Sequence, residues 1–272
     1  MDQLRTDTAF AGSIPRLYDT LLVPLIFEPY ADDLVDRIAA KRPARVLEVA
    51  AGTGVVTRRM ATALPPGTTI VATDLNQAML DHAAAVGTAR PVQWRQANAQ
   101  QLPFDDASFD AVVCQFGVMF FPDKAKAFAE ARRVLAPGGA FYFNVWDRIE
   151  NNEIADTVTM ALRSLFPADP PLFMARTPHG YHDLATIAQD LASAGFAATP
   201  RTSMLAARSR AASARVPAMA YCLGTPLRNE IEARGATLLD RACDVTAEAL
   251  AARFGTGAVD GKIQAHIVVV EK

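Results

Sequence analysis

The segment that most limits what this chain can fold into is Val46-Leu47-Glu48-Val49-Ala50-Ala51-Gly52-Thr53-Gly54. An apolar run closes on an acid and passes at once into a small-residue loop, which predicts a buried strand turning tightly into a helix that carries Thr57 and Arg58. Side chains at positions 52 and 54 would hold a ligand away from the main chain, and glycine also permits the positive φ such turns need. Asp74 ends the next apolar run, about twenty residues beyond the glycines, the spacing at which a crossover presents a carboxylate to ribose hydroxyls. A helix-capping acid is the competing reading of Asp74. The dinucleotide pattern G-x-G-x-x-G needs a third glycine at position 57, which is Thr57. Glu48, four residues before Gly52, suits a ligand bearing an ammonium or sulfonium better than one bearing a pyrophosphate.

Apolar runs and helical stretches alternate through the first half. Strands are expected at residues 45–50, 69–73, 92–97, 109–115 and 139–146, and helices at about 31–40, 55–63, 76–86 and 123–135. Continuous apolar runs fit a parallel sheet covered on both faces, hence an α/β, doubly wound fold with its ligand at the carboxyl ends of the strands. Asn76 is the expected N-cap of the third helix. Pro137-Gly138-Gly139 is expected to end the fourth helix and open the next connection.

Further motifs follow in order: Asn98-Ala99-Gln100-Gln101-Leu102-Pro103-Phe104, then Asp105-Asp106-Ala107-Ser108-Phe109-Asp110, the run Ala111–Phe116, a helix opened by Pro122-Asp123, and the run 140–146 after Pro137-Gly138-Gly139. Over residues 15–147 the chain resembles the class I S-adenosylmethionine-dependent methyltransferases, nearest to the small-molecule branch that includes the ubiquinone/menaquinone-biosynthesis C-methyltransferases. It departs from that family's E-x-G-x-G-x-G at Ala50, and Asn98 stands where many members have Asp. The resemblance implies a Rossmann-like, seven-stranded sheet whose last two strands, near 196–204 and 264–270, pair antiparallel at one edge. It implies S-adenosyl-L-methionine as cofactor and S-adenosyl-L-homocysteine as product. On that reading residues 1–147, 183–204 and 263–272 form the cofactor-binding core. Residues 148–182 and 205–262 are inserts, mostly helical, that fold into a substrate lid.

Roles follow from what such a cofactor needs. Asp74 takes the ribose; Leu75 and Met79 suit the faces of the adenine, with Asn98 and the Ala99 backbone at its edge, although Met79 fits plain core equally well. Glu48 and the backbone of Ala50, Gly52 and Gln115 surround the methionine portion, and Gly54 lets the cofactor approach the loop. Glu48 either orients the loop or holds the ammonium through water. A sulfonium favours aromatic surroundings, for which Tyr18, Phe116 and Phe120 are candidates; the resemblance implies that the segment around Tyr18 closes over the cofactor, and core packing explains the two phenylalanines equally well. A general base is required only for an acceptor protonated at neutral pH. His179 and His182 are the candidates, against a reading as ordinary loop histidines. His82 reads as part of a solvated face and His266 as structural. Phe166, Leu172, Phe173, Met174, Met219 and Tyr221 point to an apolar or aromatic small-molecule acceptor or to packing of the inserts.

Composition narrows the partners. Net charge is −2 with no basic block, which disfavours nucleic acid. Three cysteines without metal spacing read as thiols of a reducing cytoplasm. No charged segment followed by an apolar one opens the chain, and the apolar stretch 21–27 is interrupted by Pro24, so neither secretion nor a membrane span is expected. Two other readings stand beside methyl transfer: a protein that binds the same cofactor without transferring methyl, whether a pericyclase- or decarboxylase-like enzyme or a non-catalytic one, and a nicotinamide-dependent oxidoreductase.

Overall fold

The computed structural model describes residues 7, 8, 10, 12–235 and 237–272. Seven strands form one sheet in the order β3-β2-β1-β4-β5-β7-β6: β1 Arg45–Val49, β2 Thr69–Asp74, β3 Gln93–Gln96, β4 Phe109–Gln115, β5 Leu135–Trp146, β6 Arg201–Ala211 and β7 Val259–Glu271. The pairs β1–β2, β1–β4, β2–β3 and β4–β5 are parallel. Strand order therefore reverses between β1 and β4, the switch point at which such sheets take their ligands. The far edge runs the other way. Asp147 N–H donates to Gln264 O at 3.1 Å and Lys272 N–H to Gly139 O at 2.9 Å, so partner numbers fall as β5 advances.

One compact unit comprises Pro29–Val145, Tyr181–Leu205 and His266–Lys272. Its central strands are buried on both faces, with Val46, Leu47, Val112 and Val113 inaccessible to solvent. The helix Glu28–Ala39 buries Tyr30, Ala31, Leu34, Val35 and Ile38, one stripe at 3.6-residue spacing. Asp123 and Asp183 cap Lys124–Val134 and Leu184–Ser193 by accepting the Lys126 and Thr186 N–H groups. Asn76 occupies the N-cap position of Gln77–Val86 without a capping bond from its side chain.

The second unit comprises Met1–Glu28, Trp146–Gly180 and Ala206–Ala265. It is helical apart from strand ends: Ile14–Leu17, a π-helical stretch Tyr18–Phe27 containing Pro24, Glu153–Leu165, Phe173–Arg176, Arg215–Gly224, Leu227–Arg234 and Leu239–Phe254. Glu153–Leu165 and Arg215–Gly224 both pack on Leu239–Phe254, and Arg215–Gly224 also packs on the π-helical stretch. A Cβ at Gly224 would lie 3.2 Å from Leu22 Cδ1, so glycine sets that approach. Arg176 binds two buried acids, Asp7 Oδ1 and Glu230 Oε1, each at 2.7 Å. No described helix is long and apolar enough to cross a membrane.

Three boundaries differ from the sequence reading. Pro137-Gly138-Gly139 lies inside β5 rather than before it, at a register irregularity opposite Phe109 and Ala111. Gly138 has φ +78° there, and a Cβ at Gly139 would lie 2.8 Å from Asp110 O. The triplet thus bends a strand already begun. β6 starts and ends later than 196–204, and β7 starts at Val259, before residue 264. The cause is compositional: β6 is an exposed edge whose Arg208 and Arg210 pair with Asp260 of β7, and charged residues gave no apolar run to read.

Candidate functional site

The carboxyl ends of β1, β2 and β4 carry most of the expected residues. Ala50 (φ +53°), Gly52 (φ +57°) and Gly54 (φ +84°) all occupy the left-handed region, so the loop after β1 coils back on itself before the helix Val55–Ala63 begins. Gly54 is required twice over, because a Cβ there would also lie 2.9 Å from Trp94 Cη2. Ala51 N–H donates to Thr73 O at 2.9 Å, extending the β1–β2 ladder into the loop.

Asp74 holds that loop. Its Oδ2 accepts the Gly52 N–H and its Oδ1 the Asn76 N–H, both at 2.8 Å. Burial pushes its carboxyl up, against the backbone hydrogen bonds that favour the anion. Glu48, one strand over, is 1% exposed. Its Oε2 accepts the Thr57 hydroxyl at 2.5 Å, which ties β1 to the helix after the loop. Burial pushes Glu48 up to about 8, while the Thr57 hydroxyl and Arg58 pull the other way and Asp74 adds to the rise. Two buried carboxyl groups on neighbouring strands, both pushed towards the neutral form by burial, ionise more readily beside a cation.

Leu75, next to Asp74, is 50% exposed, an apolar face presented beside that carboxylate. Met79 is buried in the helix Gln77–Val86, on the core side. Asn98 Oδ1 accepts the Gln100 N–H at 2.9 Å, an Asx turn that presents Ala99 at its tip. Gln115 ends β4 opposite Asn144 of β5. Phe116 follows at φ +48°, a conformation held by donation of its N–H to Asn144 Oδ1 at 2.9 Å, and Tyr30 stands edge-on to its ring at 5.2 Å. Gly117 then sits where a Cβ would lie 2.6 Å from Ala50 Cβ, so the loops after β1 and β4 interlock at the switch point.

Tyr18 and His179 belong to the helical unit. Tyr18 stacks on Phe27 at 5.1 Å, Phe27 lies 6.1 Å from Trp146, and Trp146 lies 5.9 Å from His179. His179 Nδ1 is 2.8 Å from Asp147 O; a carbonyl only accepts, so Nδ1 carries the proton and Nε2 is the basic nitrogen of the neutral ring. His182 is half-buried, next to the capping Asp183. Of the expected acceptor-lining set, Phe173, Met174 and Tyr221 are buried in their unit, Phe166 and Met219 are half-buried, and Leu172 is exposed.

Sequence reasoning missed two residues. In the sequence Thr57 signals only the absent third glycine and not the Glu48 bond it makes, and Asn144 lies in an apolar strand where its polarity is the available signal.

A family model described as a methyltransferase domain matches residues 47–143. The ubiquinone/menaquinone biosynthesis C-methyltransferase of Saccharophagus degradans is 30% identical over 168 residues, 57% of this chain and 68% of that protein. Among solved structures, a putative methyltransferase from Bacillus halodurans aligns with a TM-score of 0.56 at 21% identity, over 89% of this chain and 99% of that one. The [4+2]-cyclase SpnF aligns with a TM-score of 0.54 at 18% identity, over 96% and 94%, so the fold by itself does not choose the chemistry.

Proposed function

This chain belongs to the class I S-adenosylmethionine-dependent methyltransferases, and on that premise we propose that it transfers a methyl group to an O, N or C atom of a small, apolar or aromatic acceptor. The observation that carries the site assignment is the Asp74 carboxylate, clamped between the Gly52 and Asn76 amides at the end of β2, beside a loop turned by three left-handed residues. S-Adenosylmethionine, when bound, supplies an electrophilic methyl on a cationic sulfur. Asp74 takes the ribose diol through charge-assisted hydrogen bonds, and Leu75 lies against the adenine, whose edge meets Asn98 and Ala99. The backbone of Ala50, Gly52, Gly54 and Gln115 receives the amino-acid tail. Glu48 acts from beneath the loop: it fixes the turn through Thr57, and a cation bound beside it favours its ionised form.

Little covalent work falls to the protein in an in-line displacement. It has to hold the reacting atoms about 3–3.5 Å apart and collinear. His179 is the proposed base for an acidic acceptor, because its Nδ1–H is committed to Asp147 O and the tautomer is thereby fixed; His182 is the second candidate. Acceptor selection is assigned to the helical inserts and closure over the cofactor to the segment around Tyr18. The proposed compartment is the cytoplasm, which three free thiols support, and nucleic acid is not a proposed partner.

The test is a panel of phenolic, enolic and amine acceptors incubated with methyl-labelled cofactor. Label in an acceptor with stoichiometric S-adenosylhomocysteine supports methyl transfer. Conversion of a substrate without S-adenosylhomocysteine would instead place the chain with the cyclase-like members of the fold.

A further inference from the structure

The ion pair Glu130–Arg133 has no part in the roles assigned so far. Both residues lie on the helix Lys124–Val134, one turn apart, and they meet through two parallel bonds. Arg133 Nε donates to Glu130 Oε1 at 2.7 Å and Nη2 to Glu130 Oε2 at 2.9 Å. Such a fork is planar and holds its geometry. The pair's other bonds go to the connection between β3 and β4. Glu130 Oε2 accepts the Leu102 N–H at 2.7 Å, and Arg133 Nη2 donates to Leu102 O at 2.9 Å. Arg133 Nη1 donates to Phe104 O at 2.7 Å and to Asp106 Oδ1 at 2.8 Å.

Leu102 is buried, so its backbone N–H and C=O both need partners. The ion pair supplies them in place of a neighbouring strand. Directly before Leu102 stands the turn Asn98–Gln101, closed by the Gln101 N–H to Asn98 O at 2.9 Å. The other end of that turn is tied to β2 and the residue after it: Ala97 N–H donates to Asp74 O at 3.0 Å and Gln96 Nε2 to Leu75 O at 2.8 Å. The tip carrying Asn98 and Ala99 is therefore anchored on one side by the end of β2 and on the other by Glu130 and Arg133.

We infer, on the cofactor assignment above, that Glu130 and Arg133 are positioning residues for base recognition, setting where the Asn98–Ala99 turn meets the amino-bearing edge of adenine. Hydrogen bonds that read a base edge need their groups placed to within about half an ångström, which supporting bonds behind the loop provide. The guanidinium reaches Leu102 O, Phe104 O and Glu130 together; a lysine ammonium is a point charge without that fork. Hypoxanthine carries a carbonyl oxygen where adenine has its amino group, so a correctly placed turn discriminates against it.

Titration calorimetry of the full chain compares S-adenosylhomocysteine with S-inosylhomocysteine. The wild type is expected to prefer the adenine ligand by about ten-fold or more, the scale of one hydrogen bond. Arg133→Lys is expected to bind that ligand about ten-fold more weakly, and the milder Glu130→Gln about three-fold, with little change for the inosine ligand, so the preference collapses. Phe128→Leu trims a side chain buried against Phe141 and Phe143 on the same helix. It is expected to lower Tm and keep the preference, which separates positioning from lost stability. An undiminished preference in whichever of Arg133→Lys and Glu130→Gln folds, an equal loss of preference in Phe128→Leu, or a wild type indifferent to the base overturns the inference and leaves the cofactor assignment standing. A folded wild type that binds neither ligand overturns both.

Discussion

Asp74 pins the Gly52 and Asn76 amides at the end of β2, and the proposed function gives the same carboxylate a second partner in the cofactor's ribose. Asp74→Ala is therefore expected to weaken S-adenosylmethionine binding by about 1.5–3 kcal/mol, the scale of hydrogen bonds to a charged group, as read by calorimetry. Unchanged affinity would remove Asp74 from the site. Glu48 gives a pH signature. The unfolded chain releases its proton near 4.5 and the folded chain holds it to about 8, so between those values the folded state binds more protons. Its contribution to stability is fully present below about 4.5 and is lost as pH rises towards 8, at up to about 1.4 kcal/mol per pH unit. Glu48→Gln should flatten that decline in denaturant titrations; a parallel decline in both proteins would assign it elsewhere. Glu48, Gly52 and Asp74 were legible because their spacing is local to one strand–loop–helix crossover. The Asn144 bond to the Phe116 amide was not, because strand neighbours 28 residues apart share no local pattern.

Loops are the elements that define the site, and two of them share one space. Gly117 lies against Ala50 and Cys114, where a Cβ would approach to 2.6 and 2.7 Å. Gly117→Ala should cost about 1–3 kcal/mol of stability as overpacking and should weaken cofactor binding in parallel, since the loop after β1 must shift to make room. Loss of stability at constant affinity would mean that the two loops are not coupled. The central strands and the helices between them were readable from the sequence, because strands buried on both faces read as apolar runs. The limits of β5, β6 and β7 were not. A bulge at Gly138 and Gly139 kinks one strand, and charge pairing rather than burial defines the edge. The helical unit has its own critical contact: Arg176→Ala leaves the buried carboxylates of Asp7 and Glu230 without their partner. With Arg176 itself partly exposed, the expected loss is about 1–3 kcal/mol in chemical unfolding. A loss below a few tenths would show that the pair is solvated.

At the scale of the whole molecule, one cationic cofactor is the proposed ligand of the carboxyl ends of β1, β2 and β4. Net charge of −2 with no basic block, two acids buried at the switch point, and a loop lacking the third glycine of dinucleotide sites all favour a sulfonium over a pyrophosphate. Titration calorimetry of the intact chain with S-adenosylmethionine, S-adenosylhomocysteine and NAD tests this most directly. One-to-one binding of the first two, with proton release as Glu48 ionises beside the cation, and no heat from NAD is the predicted result. A folded chain that binds neither sulfur ligand, or that binds NAD instead, contradicts it.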